Sequence, residues 1–192
     1  MLAEPILVVA KIVAALDALE VRHVVGGSLA SSMYGVPRAT NDVDVAAELR
    51  EPHIPGFVAT LSGEFFVDAD MIKDAVRRRA SFNVIYLATM FKADVFVLSG
   101  DAWSREEIAR GRIQTLQSGG DAVAIRFASP EDTILHKLVW YRLGGGVSDR
   151  QWSDVLGVFK VQGGRLDQPY LDRWAPELDV RDLLARARRE AG

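Results

Sequence analysis

Two aspartates one residue apart, Asp42 and Asp44, are the first residues in this sequence whose type and spacing could do chemistry. Val43, Val45 and Ala47 alternate with Asp42, Asp44 and Ala46, the period-two pattern of a strand. Both carboxylates therefore fall on one face, about 7 Å apart along the chain. Carboxylates so placed can converge on one or two Mg2+ ions, which favour hard oxygen ligands and keep water or substrate phosphates in their remaining positions. Aspartate is a poor strand former, so a pair on one strand needs either such a role or a solvent-facing edge.

A third carboxylate, Asp94, lies in Lys92-Ala-Asp-Val-Phe-Val-Leu98, an apolar, β-rich run expected to form a central strand. A charge there is costly unless something pairs with it, and a metal ion would do so. Its expected part is to complete the metal site and help deprotonate an attacking hydroxyl.

Upstream, the apolar Val21–Val25 segment runs into Gly26-Gly27-Ser28, and a helix of small residues is expected from Ser28 to Tyr34. A helix N-terminus carries unpaired N–H groups and partial positive charge. Glycines there let a phosphate approach the backbone, and the Ser28 hydroxyl adds a donor. Without further support a Gly-Gly-Ser turn is only a turn. The segment lacks both the G-x-G-x-x-G dinucleotide spacing and the Gly-Lys-Ser/Thr of a Walker A loop.

The elements that must position these groups read as follows. An amphipathic helix is expected over 5–20, a strand over 21–25, a helix over 28–34 ended by Gly35, and the aspartate strand over 42–47. A helix over 53–61, a brief strand at 65–67 and a helix over 71–79 follow. Hairpins are expected from 81–87 with 92–98, and from 112–116 with 122–127 around Ser118-Gly119-Gly120-Asp121; a short helix, 103–109, separates them. Ser129-Pro130-Glu131-Asp132 is a strong helix start, with N-cap serine, first-turn proline and acids at the positive end of the dipole. Everything beyond it reads as helix. The expected fold class is thus α/β: a mixed sheet flanked by helices over 1–128, with an all-helical C-terminal appendage over 129–192.

Composition sets the outer bounds. The 192 residues are 49% hydrophobic and 26% charged, with 23 Lys and Arg against 26 Asp and Glu, a formal charge of −3. That balance argues against a protein that coats nucleic acid non-specifically, although 14 of the 23 cations lie beyond residue 100. No cysteine is present, which excludes disulfides and thiolate metal sites. No apolar run approaches the roughly 18 residues of a membrane span, and Glu4 and Lys11 spoil the N-terminus as a secretory signal. A cytoplasmic protein without a membrane partner is the expectation.

Gly26-Gly27-Ser28, thirteen intervening residues, Asp42-x-Asp44 and a later strand aspartate at 94 resemble the nucleotidyltransferase superfamily related to DNA polymerase β. The longer string Gly-Gly-Ser-Leu-Ala-Ser…Gly-x-x-Arg-x-Thr-x-Asp-x-Asp is similar to the bacterial branch that includes the AbiEii-type and MenT-type toxins. The resemblance implies the nucleotidyltransferase fold and dependence on Mg2+, two ions, with Mn2+ as the alternative. It implies transfer of a nucleoside monophosphate from a nucleoside triphosphate to a hydroxyl. It also implies a lysine and then an aspartate on the helices after the catalytic domain. Lys137 matches the first, as a contact to triphosphate oxygens. Asp154 matches the second, orienting Lys137 or the nucleotide, with Asp149 as the competing position because Gln151-Trp-Ser153 replaces the usual charged stretch. A toxin acting on tRNA, held by a cognate antitoxin, is the partner set that the branch implies.

Other groups are open between roles. Arg38 either neutralises triphosphate charge or pairs with Asp42, and Thr40 lies just before the carboxylates. Arg77-Arg78-Arg79 either meets RNA phosphates or simply complements a helix C-terminus. His23 is expected to be structural, and His136, which points elsewhere on its helix from the adjacent Lys137, is not expected to be catalytic. The same chemistry would serve a protein or small-molecule acceptor, as in an antibiotic-modifying enzyme. A non-catalytic nucleotide- or partner-binding module is the rival from another class, and an intact carboxylate triad weighs against it.

Overall fold

The computed structural model describes residues 3–118 and 121–192. Gly119 and Gly120, the expected turn of the last hairpin, lie outside the described residues. Contacts divide the chain into two units: residues 1–26 with 39–127, and residues 27–38 with 128–192.

The first unit is built on a seven-stranded sheet with strands β1 (His23–Val25), β2 (Asp42–Ala47), β3 (Phe65–Phe66), β4 (Ser81–Tyr86), β5 (Phe91–Val97), β6 (Arg112–Ser118) and β7 (Asp121–Phe127). Their order is β3-β4-β5-β2-β1-β7-β6. β2 runs parallel to β5, and β1 runs parallel to β7; the remaining neighbours are antiparallel. Such a mixed sheet is what hairpins combined with helical crossovers produce. Helix α1 (Ala3–Ala18) packs its Val9, Ile12 and Leu16 face onto the sheet, and these side chains are fully buried. Burying each contributes about 1.5–3 kcal/mol. The short helices of this unit are α3 (Ile54–Leu61), α4 (Ala69–Arg78) and α5 (Ala102–Arg110). Asp68 caps α4 by accepting from the Met71 N–H at 2.8 Å, and Asp101 caps α5 by accepting from the Ser104 N–H at 2.8 Å.

The second unit is all helix: α2 (Gly27–Tyr34), α6 (Pro130–Leu143), α7 (Asp149–Gln162), α8 (Gln168–Glu177) and α9 (Arg181–Ala191). Ser129 caps α6 as its sequence predicts, with Oγ accepting from the Asp132 N–H at 3.1 Å and Pro130 in the first turn. Ser148 and Asp167 cap α7 and α8 in the same way. In this unit Leu29, Ile134, Leu135, Leu138, Leu171 and Leu184 are fully buried. Helix α2 packs against α6 and α7, which come far later in the chain. Gly35 explains how closely: a Cβ there would lie 2.8 Å from the Val158 nitrogen and 2.9 Å from the Gly157 carbonyl carbon. Among the described residues, no helix is long and apolar enough to cross a membrane.

Candidate functional site

Asp42 and Asp44 lie on β2, whose residues alternate between half-buried and buried, so Val43, Val45 and Ala47 anchor the strand in the core while both carboxylates share the opposite face. β5 repeats the pattern with Lys92, Asp94 and Phe96 half-buried between buried Phe91, Ala93, Val95 and Val97. The parallel register pairs Asp44 with Asp94 and Asp42 with Lys92. Residues paired in this way on adjacent strands, about 4.8 Å apart, present side chains on the same face. The sheet thus brings Asp42, Asp44 and Asp94 together.

Three hydrogen bonds fix this face. Thr40 Oγ1 donates to the Asp42 backbone oxygen at 2.9 Å and to its Oδ1 at 3.1 Å. The Gly26 N–H donates to the Asp44 carbonyl at 2.9 Å, tying the end of β1 to the aspartate strand.

Lys92 shares this face although it belongs to no motif in the sequence. Its Nζ lies 2.7 Å from Asp94 Oδ2. The ammonium is held above the usual lysine range, chiefly by its hydrogen bond to Asp94; desolvation opposes this, and the charges of Asp94, Asp42 and Asp44 add to it. All three carboxylates therefore act on one cation. Lys92 stands two residues before Asp94, and in a strand that spacing means the same face, although a lysine without any role satisfies it equally.

Among the described residues, no group of three or more carboxylate or imidazole side chains already encloses a metal position. The donor set nevertheless suits Mg2+. It consists of hard carboxylate oxygens on one face, and a cation, the Lys92 ammonium, already sits in their field. Asp42, Asp44 and Asp94 are the residues that could hold the ion.

In the second unit, Ser28, Arg38, Lys137 and Asp154 come together. Arg38 makes a forked contact with Asp154, Nε to Oδ1 and Nη2 to Oδ2, both at 2.8 Å, and its Nη2 also donates to Ser28 Oγ at 2.5 Å. Lys137 Nζ donates to Asp154 Oδ2 at 2.8 Å. The side chains of Lys137 and Asp154 are only 6% and 5% exposed. Burial alone would push the Asp154 carboxyl up; hydrogen bonds from Arg38 and Lys137 outweigh it and hold the group below the usual carboxylate range. One carboxylate thus answers two cations here. Asp149 opens α7 in an exposed position, so the aspartate that holds Lys137 is Asp154. Gly27 takes φ +59°, a left-handed conformation suited to glycine at the head of α2.

The remaining candidates resolve locally. His23 is buried, with Nδ1 2.9 Å from the Val21 carbonyl. Arg77 and Arg78 pair with Asp74 on their own helix, at 3.7 and 3.0 Å. Arg79 leaves the helix and donates to the carbonyls of Leu98 and Ser99, both at 2.9 Å. His136 is half-buried on α6 beside Lys137.

No family model matches the sequence, and no curated protein sequence matches it. Solved structures do. The solution structure of the antibiotic-resistance factor ANT(2'')-Ia aligns over 100% of both chains, with a TM-score of 0.56 at 15% identity. The crystal structure of ANT(2'')-Ia in complex with adenylyl-2''-tobramycin aligns over 93% of this chain and 98% of that one, with a TM-score of 0.55 at 14% identity. At a TM-score of 0.46 and 9% identity, the lincomycin-bound lincosamide antibiotic adenylyltransferase LnuA covers 78% of this chain and 93% of its own. The likeness to ANT(2'')-Ia is one of fold, and that fold is the nucleotidyltransferase fold that the sequence resemblance implies.

Proposed function

We propose that this chain is a nucleotidyltransferase that moves a nucleoside monophosphate from a nucleoside triphosphate to an acceptor hydroxyl. The observation that carries the reading is the register of β2 against β5, which sets Asp94 beside Asp44 with Asp42 two residues away on the same face. Asp42, Asp44 and Asp94 would hold divalent metal, Mg2+ or Mn2+. When bound, the ion supplies charge neutralisation for the phosphates and polarises the phosphoryl group under attack.

The chain's own residues carry the rest. The Asp94 carboxylate accepts the proton as the acceptor O–H bond breaks. The new bond joins the acceptor oxygen to the α-phosphorus, and the bond from that phosphorus to the bridging oxygen breaks, releasing pyrophosphate. Gly27 and Ser28, at the head of α2, offer donors to phosphate oxygens. Lys137 and Arg38 supply positive charge for the same anion, and Asp154 keeps both cations in place. Thr40 holds the Asp42 carboxylate in one orientation.

For the acceptor, the fold likeness to ANT(2'')-Ia, solved with adenylyl-2''-tobramycin, supports a small polyhydroxylated molecule. The motif resemblance to toxin nucleotidyltransferases supports tRNA, with a cognate antitoxin as partner. Incubation with α-labelled triphosphates and, in parallel, aminoglycosides, total tRNA and total protein separates these readings. Label should enter one acceptor class, require divalent metal and be abolished by Asp44→Ala. Label arriving from the γ-phosphate instead, or transfer that persists in Asp44→Ala, overturns the proposal. Triphosphate binding without transfer to any acceptor would favour a non-catalytic module.

A further inference from the structure

A cleft of about 440 Å³ opens within the first unit at the other end of β2 from Asp42, lined by Arg22, Arg50, Arg79 and Arg105, with Glu48 and the Leu98–Gly100 turn. We propose that it is a binding site for a small phosphorylated ligand, separate from the carboxylate face.

Topology places the cleft. β2 and β5 are parallel neighbours, and the residues that line it follow directly from both: Glu48, Leu49 and Arg50 after β2, and Leu98, Ser99 and Gly100 after β5. In open α/β sheets, ligands bind in the crevice outside the carboxyl ends of parallel strands. The carboxylates occupy the opposite half of β2; Asp44 lies four residues, about 13 Å along an extended chain, from Glu48.

The charge there is positive and fixed. Arg22 answers Glu48 through Nε at 3.0 Å and Nη2 at 2.7 Å, so the lone acid of the lining is neutralised. Arg79 and Arg105 are braced by neutral carbonyls, Arg79 Nη1 on Leu98 and Ser99 and Arg105 Nη1 on Gly100 at 2.6 Å. These bonds hold the guanidiniums without cancelling their charge. With Arg50 they leave three positive charges around one concavity, and guanidinium forks match phosphate oxygens.

Backbone conformation adds a second observation. Arg79 ends α4 at φ +54°, ψ +44°, a left-handed cap where glycine is the favoured residue. An L side chain in that conformation is disfavoured, so its presence calls for a reason in what the side chain does. Its guanidinium spans from the helix end to the turn that follows β5. The cleft's volume lies in the range of small-molecule sites, which separates it from an open groove for a polymer.

The test is an amide-resolved NMR titration of the intact chain in buffer free of divalent cations, with inorganic phosphate, pyrophosphate, AMP and a short RNA oligonucleotide as probes. Pyrophosphate or AMP should give saturable shifts at Leu49, Arg50, Ser99 and Gly100. The Arg50→Ala/Arg105→Ala variant should weaken that binding by at least about tenfold, with its thermal midpoint unchanged. The proposal is overturned if the small probes fail to saturate below about 10 mM or bind the double variant as tightly. It is equally overturned if the shifts are confined to Gly27 and Ser28, or if only the RNA shifts the cleft amides.

Discussion

Lys137 and Asp154, seventeen residues apart on consecutive helices, meet through Nζ and Oδ2 at 2.8 Å, with both side chains nearly out of water. Arg38 closes on the same carboxylate from a third direction. One buried acid thus holds two cations. Removing a partner from a buried pair leaves an uncompensated charge, which is far more costly than the pair itself is favourable.

Asp154→Asn should therefore destabilise the chain by about 3–5 kcal/mol in urea unfolding. Lys137→Met should cost less, because Arg38 still satisfies both oxygens of Asp154. The two substitutions should be non-additive in a double-mutant cycle, since they act on one contact. Equal costs that simply add would mean that the cluster does not behave as a unit.

The same carboxylate makes stability depend on pH in one direction. Its pKa in the folded chain lies below the ordinary carboxylate value, so the unfolded state binds the proton more readily. Its contribution is complete above the ordinary carboxylate range and is lost as pH falls through the lower folded value. Urea midpoints measured from neutral pH down into the acid range should fall for the native chain. That portion of the fall should be missing in Asp154→Asn, which carries no titrating group there.

Half of this architecture is legible from local pattern. The alternation through Asp42–Ala47 announces a strand with its acids on one face, and Ser129-Pro130 announces the start of α6, because each signal lies within one element. The bond from Arg38 to Asp154 spans 116 residues, and no local pattern joins a residue after α2 to the middle of α7. Before the resemblance is invoked, Lys137 is simply a lysine on a helix; its burial is tertiary. Lys92 is different. Its relation to Asp94 is local, but a lysine on a half-exposed strand face satisfies the pattern without any role, so nothing in the pattern singles it out.

Gly35 shows the same division. From the sequence it is the residue that stops a helix, and it does follow Tyr34 directly. Its packing against α7 adds a demand that the stop signal does not contain: a Cβ would sit 2.8 Å from the Val158 nitrogen and 3.0 Å from the Ser31 oxygen, both backbone atoms that cannot turn away. Gly35→Ala should cost about 1–3 kcal/mol in urea unfolding by forcing the helices apart. Gly63→Ala, where nothing lies within 4 Å of the new carbon, should stay within about 0.5 kcal/mol of the native chain. Similar midpoints for the two variants would show that the close approach of α2 and α7 carries no energetic weight.

Lys92 would compete for Asp94 with any metal ion that the proposed site takes up. Its ammonium rests on Asp94 Oδ2 at 2.7 Å, and an ion that takes that oxygen must displace it. The lysine is 43% exposed, so the contact is screened by solvent and is worth no more than about 1 kcal/mol. Lys92→Met keeps the aliphatic stem and removes the charge. It should tighten Mn2+ binding about three- to fivefold, the factor that such an energy allows, when free ion is followed by electron paramagnetic resonance without nucleotide. Lys92→Arg should leave the affinity near that of the native chain. Unchanged or weaker binding in Lys92→Met would show that the lysine does not guard Asp94. Loss of binding in Asp44→Asn together with Asp94→Asn would tie the measured ion to this face, where the register of β2 and β5 brings the acids together.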